Sequence, residues 1–285
     1  MTEQAERIKA DCPYGDLYIY YIQGVAFTDD RLLGANFLGN WEEDGFSFLF
    51  FTEKASETVQ TILDSQTELK LIDEYVMTYE EWLGEKLESR SLGNFTVSPP
   101  WDMPDTMFLP NFGALHIVLD PGVVFGTGTH PTTYDCLDLL EIVVKKEQVQ
   151  TVLDLGTGTG LLAIAAGKLK CRKILAVDFN HLAVKTTHRN ITLNNMTEKI
   201  IAVQGLAQDF VDTPGDLLIA NIHYDVMKDV IAARGFLTKK HFILSGLLRS
   251  QAELVEEALK GLPVEIIEKR NSSNGVWFTF YGRTG

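Results

Sequence analysis

The sequence contains little cysteine and no long apolar run. Its three cysteines, Cys12, Cys136 and Cys171, lie far apart and form no C-x-x-C pair. This spacing argues against a disulfide framework and a cysteine-based zinc site, and it predicts reduced thiols. No stretch approaches the roughly 18 apolar residues of a membrane helix, and the opening MTEQAERIKADC has no apolar signal segment. We therefore expect a cytoplasmic protein without a bound metal or a membrane contact.

Positive charge is also scarce. The 285 residues include 25 Lys and Arg against 39 Asp and Glu, which gives a net charge of −14. Most of the deficit lies in residues 1–100, where 7 basic residues stand against 19 acidic ones. An acidic surface repels nucleic-acid phosphates and attracts basic polypeptides, so we expect a basic protein substrate and no direct nucleic-acid contact. The alternative is that these acidic residues only keep a small domain soluble.

The hydrophobic pattern changes along the chain and predicts two domains with a linker. Residues 1–80 combine alternating strand-like runs such as DLYIYYIQG with one short amphipathic helix, SETVQTILDSQ, and predict a small α+β domain. We place the linker at residues 81–112, because proline at this density cannot continue a helix or a central strand. The prolines are Pro99, Pro100, Pro104 and Pro110.

Aromatic residues alternate along the strands of the leading domain. Tyr18 and Tyr20 share one face of a strand, and Phe46, Phe48 and Phe50 share one face of another. We interpret them as a core and not as a stacking surface.

Residues 113–285 alternate strands with helices. Near-continuous apolar runs such as TVLDLG, KILAVD and DLLIANI are separated by helical stretches such as HLAVKTTHRNITL, which indicates a parallel sheet covered on both faces. At the end, VEIIEKR, NSSNG and VWFTFYG predict an antiparallel hairpin. The predicted fold class is α/β, a Rossmann-like sheet with a terminal antiparallel hairpin, plus a small amino-terminal α+β domain.

A glycine-rich turn, DLGTGTGLLAIAA at 154–166, joins the first strand of this domain to its helix. Gly156, Gly158 and Gly160 are spaced G-x-G-x-G, whereas a dinucleotide fingerprint would need a further glycine at Leu161. A phosphate loop would need Lys and Ser or Thr directly after Gly160, where Leu161 and Leu162 stand. The turn is therefore poorly suited to a dinucleotide and unsuited to a phosphate loop.

Two acids flank this turn. Asp154 precedes it, and Asp178 ends the next strand, KILAVD, where a carboxylate can accept both hydroxyls of a ribose. D-x-G-x-G-x-G followed by such an acid resembles the motif of S-adenosylmethionine-dependent methyltransferases, which implies that cofactor. The alternative is a strand-to-helix turn without a ligand.

A second motif, DPGVVFGTGTHPTT at 120–133, is more specific. Its glycine-rich loop meets a helix that starts at Pro131, with Thr129 or His130 as the cap, and free amides at a helix start suit an anion such as the cofactor carboxylate. The loop resembles the F-G-T-G-x-H-P-T-T stretch of the bacterial ribosomal protein L11 methyltransferase family, PrmA. The resemblance runs from about Trp82 to the end, through GNFTVSPPWD, LLIANI and LSGLL.

The resemblance implies a class I methyltransferase fold and a leading ferredoxin-like domain that recognises the substrate. It also implies that the 120s loop closes over the cofactor, that Gly156 and Gly158 lie along its methionine part, and that Asn221 faces the transferred methyl. The implied cofactor-binding residues are Phe125, Thr127, Asp154, Gly156, Gly158, Gly160, Asp178 and Asn221, with His130 beside them.

This chain departs from the family pattern at three places. Asn180 stands where relatives have a second acid, and Leu206 where an acid often follows the glycine on the adenine side. The stretch VAFTDDRLLG is also short for the first helix of a ferredoxin-like domain.

Methyl transfer to an amine needs alignment and a neutral nucleophile. A lysine amine with a pKa near 10.4 is less than about 0.1% neutral at pH 7, so the site must favour the neutral form. We take Asn221 and His130 as the candidate catalytic residues, Asn221 as a hydrogen-bond acceptor and His130 as a base. The alternatives are that Asn221 only caps the following helix and that His130 is a structural hydrogen-bonding residue.

The predicted function is S-adenosylmethionine-dependent methylation of lysine or N-terminal amines of a ribosomal protein, L11 by resemblance, by a monomer. The sequence ANIH differs from the N-P-P-Y of amide and base methyltransferases, which argues against a nucleobase or a glutamine as the methyl acceptor. The alternatives are a lysine methyltransferase with another protein target, a non-catalytic ribosome-associated binding module and, against the spacing at Leu161, an NAD-type oxidoreductase.

Overall fold

The computed structural model describes residues 11–104, 115–272 and 275–285. They form two compact units, which we call the leading unit, within Met1–Ser89 and Ser98–Leu109, and the main unit, within Arg90–Val97 and Pro110–Gly285. In the described ranges, no helix is long and apolar enough to cross a membrane, and no three His, Cys, Asp or Glu side chains are grouped to hold a metal. The three cysteines, all within the described ranges, form no disulfide, and Cys136 and Cys171 are buried.

The leading unit is a four-stranded antiparallel sheet with two principal connections through helices. Its strands lie in the order β2-β3-β1-β4, which is the order of a ferredoxin-like β-α-β-β-α-β unit. As the sequence indicated, the first helix is a single turn. The elements are β1 (Asp16–Gln23), α1 (Asp30–Leu33), β2 (Phe37–Glu43), β3 (Phe46–Phe51), α2 (Ser56–Ser65), β4 (Lys70–Thr78) and α3 (Tyr79–Leu83).

The aromatic residues of this sheet divide between a core and a half-exposed face. Tyr20 is buried beneath α2, where it joins Val59 and Ile62 in the core cluster. On the other face, Tyr21 stacks on Phe48 with 4.7 Å between ring centroids, and both rings are only half-buried.

Phe50 lies on the same face as Phe48 but is only 1% exposed, because its ring packs edge-on against Trp82 of α3. The interpretation as core is therefore confirmed for Tyr20 and Phe50, and it was wrong for Phe46 and Phe48, which are half-buried.

A short hairpin lies within the stretch predicted as linker. Strands β5 (Arg90–Leu92) and β6 (Phe95–Ser98) join β7 (Leu115–Val118) in a three-stranded sheet of order β5-β6-β7. The buried side chains of Phe95 and Val97 belong to a core cluster of the main unit. The prolines that predicted the linker come after this hairpin, so they do not interrupt it.

The main unit is built on a seven-stranded sheet. Its strand order is β10-β9-β8-β11-β12-β14-β13, with β14 antiparallel to both of its neighbours. Its elements are α4 (Pro131–Lys146), β8 (Thr151–Leu155), α5 (Leu161–Lys168), β9 (Lys173–Asp178), α6 (His181–Leu193), β10 (Ile200–Gln204), β11 (Leu217–Asn221), α7 (Tyr224–Ala232), β12 (His241–Leu248), α8 (Arg249–Lys260), β13 (Val264–Asn271) and β14 (Trp277–Thr284).

The sheet is covered on both faces, as its apolar strands predicted. Val152 of β8 belongs to a core cluster with α4, α5 and α6, whereas Leu153 and Leu155 belong to a second cluster with α7 and α8. Successive side chains of a strand point to opposite faces, so a strand buried on both sides reads as a continuous apolar run.

Candidate active site

Three neighbouring strands bring the predicted polar residues to one edge of the sheet. Strands β9, β8 and β11 are adjacent and parallel, and Asp178 and Asn221 are the last residues of β9 and β11. Asp154 is the penultimate residue of β8, directly before the glycine turn. In such sheets, ligands bind beyond the carboxyl ends of the strands.

The glycine turn has a backbone that only glycine adopts without strain. Gly156, Gly158 and Gly160 have φ angles of 71°, 56° and 83°, in the left-handed region. A Cβ at Gly158 would lie 2.8 Å from the carbonyl oxygen of Phe125, and one at Gly156 only 2.1 Å from the side chain of Ile222. The glycines thus allow both neighbouring segments to approach the turn closely.

Asp178 is anchored by backbone amides. Its Oδ2 accepts a hydrogen bond of 2.9 Å from the amide of Gly158, and its Oδ1 one of 3.0 Å from the amide of Asn180. Burial raises the pKa of Asp178, while these amide donors oppose the rise. Since each carboxylate oxygen has a further lone pair, the side chain can still accept hydroxyl donors from a ligand.

Asp154 is more deeply buried and incompletely paired. Its Oδ2 accepts a hydrogen bond of 2.7 Å from the Thr157 hydroxyl, whereas its Oδ1 has no hydrogen-bond partner within the described ranges. Burial raises the pKa of Asp154 to about 6. A buried acceptor without a donor is costly, and a ligand that donates a hydrogen bond there would remove the cost.

The loop of the second motif is tied to the glycine turn. The Thr159 hydroxyl donates to the carbonyl of Gly126 over 2.7 Å, and the Thr187 hydroxyl of α6 donates to the carbonyl of Gly158 over 2.8 Å. The two motifs, about thirty residues apart in the chain, therefore form one constellation, with α6 as its support.

Two buried asparagines, Asn190 of α6 and Asn194 at its C-cap, were missed by sequence reasoning and hold the segment before this loop. Asn190 donates to the carbonyls of Asp120 and Thr159 and accepts from the amide of Asp120. Asn194 accepts from the amide of Val118 and donates to its carbonyl. Their spacing of four places both on one helix face, and polar residues on the buried side of HLAVKTTHRNITL were the available signal.

His130 is the N-cap of α4. Its Nδ1 accepts a hydrogen bond from the amide of Thr132 at 3.4 Å and lies 2.7 Å from the Thr132 hydroxyl. The ring packs edge-on against Trp277, at 4.8 Å between centroids, and against Phe125, at 5.7 Å. Burial lowers the pKa of His130. An Nδ1 that accepts from the backbone places the proton of the neutral ring on Nε2.

Asn221 does not cap the following helix. The N-cap position of α7 is His223, whose own side chain makes no capping hydrogen bond. The Asn221 side chain is half-buried and approaches Gly246, where a Cβ would lie 3.1 Å from its Oδ1. Gly246 has a φ of 86° at an irregularity between β12 and β14. This glycine, which sequence reasoning also missed, makes room for Asn221.

Large apolar side chains are exposed around Asp178. Phe179 follows it and is 52% exposed, and Leu206 is 50% exposed. Leu206 lies close to Asp178 because the amide of the preceding residue, Gly205, donates a hydrogen bond of 2.9 Å to the Asp178 carbonyl. Phe125, in the loop of the second motif, is 65% exposed. Exposed apolar groups beside convergent polar ones are typical of a small-molecule site.

These features suit a nucleoside cofactor with a charged tail. The buried Asp178 carboxylate matches ribose hydroxyls, the cradle at Gly156 and Gly158 admits a ligand close to the backbone, and the unpaired Oδ1 of Asp154 offers an acceptor. Counted from β8, the strand order is 3-2-1-4-5-7-6 with the seventh strand reversed. The fold and this site define a class I S-adenosylmethionine-dependent methyltransferase.

Comparisons with known proteins give the family. The profile described as "Ribosomal protein L11 methyltransferase (PrmA)" matches residues 47–284. The chain is 33% identical over 270 residues to a ribosomal protein L11 methyltransferase of Listeria monocytogenes, covering 86% of this chain and 82% of that one. It is 30% identical to one of Desulfitobacterium hafniense, covering 89% and 88%. The chain belongs to the ribosomal protein L11 methyltransferase family, and its cofactor is S-adenosylmethionine.

A solved structure agrees with this assignment. The crystal structure of a ribosomal protein L11 methylase from Lactobacillus delbrueckii subsp. bulgaricus matches 70% of this chain and all of its own, with a TM-score of 0.59 and 29% identity. The family profile starts at residue 47, whereas the resemblance was expected from about Trp82. The match therefore includes the second half of the leading unit, where sequence alone indicated only a general similarity.

Proposed function

We propose that this protein transfers methyl groups from S-adenosylmethionine to lysine or N-terminal amines of ribosomal protein L11, and that it acts as a cytoplasmic monomer. The names of its relatives support L11 as the substrate. One observation supports an amine as the methyl acceptor. Asn221 ends β11 beside the glycine turn, its side chain is half-buried, and it does not serve as a helix cap.

The chemistry divides between cofactor and protein. When bound, S-adenosylmethionine supplies an electrophilic methyl group on its sulfonium. The Asn221 carboxamide oxygen would accept a hydrogen bond from the incoming amine, orienting its lone pair. Because a carboxamide carries no charge, it offers no ion pair that would stabilise the protonated amine, and partial desolvation at this site favours the neutral nucleophile.

The cofactor itself would be held by the constellation of the two motifs. In this proposal Asp178 binds the ribose, Gly156 and Gly158 lie along the methionine part, and the orphan oxygen of Asp154 accepts a donor from the same ligand. The remaining members are Phe125, Thr127 and Gly160, of which Phe125 is exposed and free to cover the ligand.

His130 is proposed as a positioning residue in preference to a base. Its Nδ1 is engaged by Thr132 and its Nε2 carries the proton of the neutral ring, so accepting another proton would break the cap. Its ring instead links Phe125 to Trp277 and supports the start of α4.

The leading unit would bind the basic substrate. Its half-exposed face pairs aromatic rings with carboxylates: the Trp41 indole donates to Glu43 over 3.2 Å, and Asp73 hydrogen-bonds the Tyr75 hydroxyl and raises the pKa of that tyrosine. Aromatic faces beside carboxylates suit Lys and Arg side chains. This acidic unit would make no contact with nucleic acid.

The test is methylation of purified L11 by the full chain with isotope-labelled S-adenosylmethionine, with the modified amines mapped by mass spectrometry. We expect Asn221→Ala to reduce kcat by about 100-fold while cofactor affinity changes little, and Asn221→Asp to shift the pH profile because it adds a charge at the amine. Asn271→Ala, on exposed β13, is the matched control.

Three outcomes would contradict the proposal. Methylation of another protein and not of L11 would indicate the lysine methyltransferase with a different target. Cofactor binding without methyl transfer to any ribosomal protein would indicate a binding module. A wild-type kcat for Asn221→Ala would remove its role as the acceptor.

A further inference from the structure

A basic groove lies at the edge of the main sheet opposite to the cofactor loops. Those loops follow the carboxyl ends of β8, β9 and β11, whereas Lys168 ends α5 and residues 168–173 lead to the amino end of β9. The groove, of about 770 Å³, is bounded by the β5–β6 hairpin, the last turns of α4 and the end of α5. Nothing in the proposed methyl transfer uses it.

Three lysines converge on this groove. Lys145 comes from α4, and Lys168 and Lys170 come from the end of α5. Within the described ranges only Lys145 has an ion-pair partner, Glu141, which also accepts two hydrogen bonds from Asn94. Three ammonium groups thus face one carboxylate, and that carboxylate is buried and already neutralised.

Lys168 is held in an unfavourable environment for a cation. It is half-buried, and both burial and the charge of Lys199 lower its pKa. A bound anion would relieve the repulsion between these two lysines.

The basic surface extends beyond the groove along the same edge. The exposed side chains of Lys146, Arg172 and Lys173 adjoin it in sequence, and the stretch KLKCRK carries four basic residues in six. Three acids are near this stretch or adjoin the basic residues in sequence. Glu147 and Glu198 are exposed, whereas Asp216, whose charge reaches Cys171, is paired with Lys240 over 2.7 Å. The whole-chain charge of −14 therefore conceals a local region of opposite sign, and the expectation of no nucleic-acid contact, which was drawn from the acidic residues 1–100, does not extend to this edge.

We propose that this edge binds phosphate groups, and specifically the phosphodiester backbone of an RNA strand, with one phosphate in the groove. Lysine ammonium groups are point-charge partners for phosphate, and Ser91, Thr96 and the backbone of Gly93 add neutral polar groups to the wall. A ligand with several phosphates suits the row of cations beyond the groove better than a single small anion does.

The experiment is fluorescence anisotropy of a labelled single-stranded RNA with the full chain, titrated over a range of salt concentrations. We expect the double variant Lys168→Gln and Lys170→Gln to weaken RNA binding by about tenfold at low salt, and the slope of log K against log salt to fall by about 1.4, which corresponds to two lost phosphate contacts. The double variant Lys260→Gln and Lys269→Gln changes the net charge equally, on α8 and β13, and we expect a change of less than about twofold.

Competitors identify the chemistry. Displacement of the RNA by unlabelled RNA supports the proposal, and binding of inorganic pyrophosphate alone, lost in the Lys168 and Lys170 variant, would assign the phosphate site to a small phosphate. Equal displacement by poly-glutamate would overturn recognition of phosphate. Failure of wild-type protein to bind either RNA or pyrophosphate at low salt, or an equal effect of both double variants, would overturn the site. An unchanged unfolding midpoint and cofactor affinity would show that the variants are folded.

Discussion

The polar residues proposed to act in the two units differ in burial. The main unit buries them: Asp154, Asp178 and Asn190 are each less than a tenth exposed, and their hydrogen bonds fix loops against one another. The leading unit leaves Glu43 and Asp73 exposed beside half-buried rings. The difference teaches that buried polar networks fix the geometry of a site. The oxygen left without a partner within the described ranges, Oδ1 of Asp154, is the one proposed to bind the cofactor. Exposed polar groups attract a partner but hold little of the structure in place.

We expect the largest effect, a loss of cofactor affinity, from Asp178→Ala, which removes the carboxylate that joins the glycine turn to the end of β9. The substitution leaves the amides of Gly158 and Asn180 without their acceptors and removes the proposed ribose ligand. A loss of about 3 kcal/mol corresponds to S-adenosylmethionine binding weakened by about 100-fold, measured by calorimetric titration. Asp209→Ala, an exposed acid nearby in the chain, should bind as the wild type does. Unchanged affinity in Asp178→Ala would refute the assignment of the ribose site.

Asn190→Ala should be the next most severe change. It deletes three buried hydrogen bonds that join α6 to the 120s loop and the glycine turn. We expect the free energy of unfolding in urea to fall by about 2 to 3 kcal/mol and cofactor affinity to fall by about tenfold. The control is His188→Ala, exposed on the same helix. If stability falls while cofactor affinity stays at the wild-type value, the three hydrogen bonds of Asn190 do not support the cofactor site.

On the leading unit, the double variant Glu43→Gln and Asp73→Asn should act only on the substrate. Removing both carboxylates from the aromatic face should raise the KM for L11 by about fivefold, since exposed charge pairs contribute up to about 1 kcal/mol. The kcat and cofactor affinity should not change, and high salt should reduce the difference. Glu57→Gln with Asp64→Asn, on exposed positions of α2, removes the same charge from the helix side. An equal rise in KM in this control variant would show that substrate binding depends on the net charge of the unit and not on the carboxylates of the aromatic face.

The smallest effect concerns the pH dependence of stability through Asp154. Burial raises the pKa of Asp154 to about 6 in the folded protein, well above the ordinary value of an aspartate. Folding therefore binds a proton between the two values, and the stability that comes from this group is lost as pH rises through 6. Asp154→Asn removes this titration. The difference in unfolding free energy between the variant and the wild type should therefore shift by about 1 kcal/mol in favour of the variant from pH 5 to pH 8. Urea unfolding at the two pH values measures this gain, with Asp209→Asn as the control. A difference that is the same at both pH values would show that Asp154 titrates normally.

Much of the main unit could be predicted from local chemistry. The apolar strands, the helix starting at Pro131 and the terminal hairpin lie where the sequence placed them. Predictions failed or fell short where a long-range contact decided the outcome. Asn190 and Asn194 were missed because the backbone groups that they bind lie 70 and 76 residues away in the chain. In the leading unit, period-two alternation located the aromatic faces but gave no information on which face a helix covers.

What the sequence determined by itself is the set of positions whose backbone or charge admits few alternatives: the glycines with left-handed φ angles, Pro131 at a helix start, and acids at strand ends. The tertiary structure alone decided which of these positions meet. Asn190 reaches Asp120 across 70 residues of chain, and the basic groove joins Asn94 on a hairpin to Lys168 on a helix. Local conformational preferences act within a few residues, whereas contacts between distant segments depend on how the sheet orders its strands.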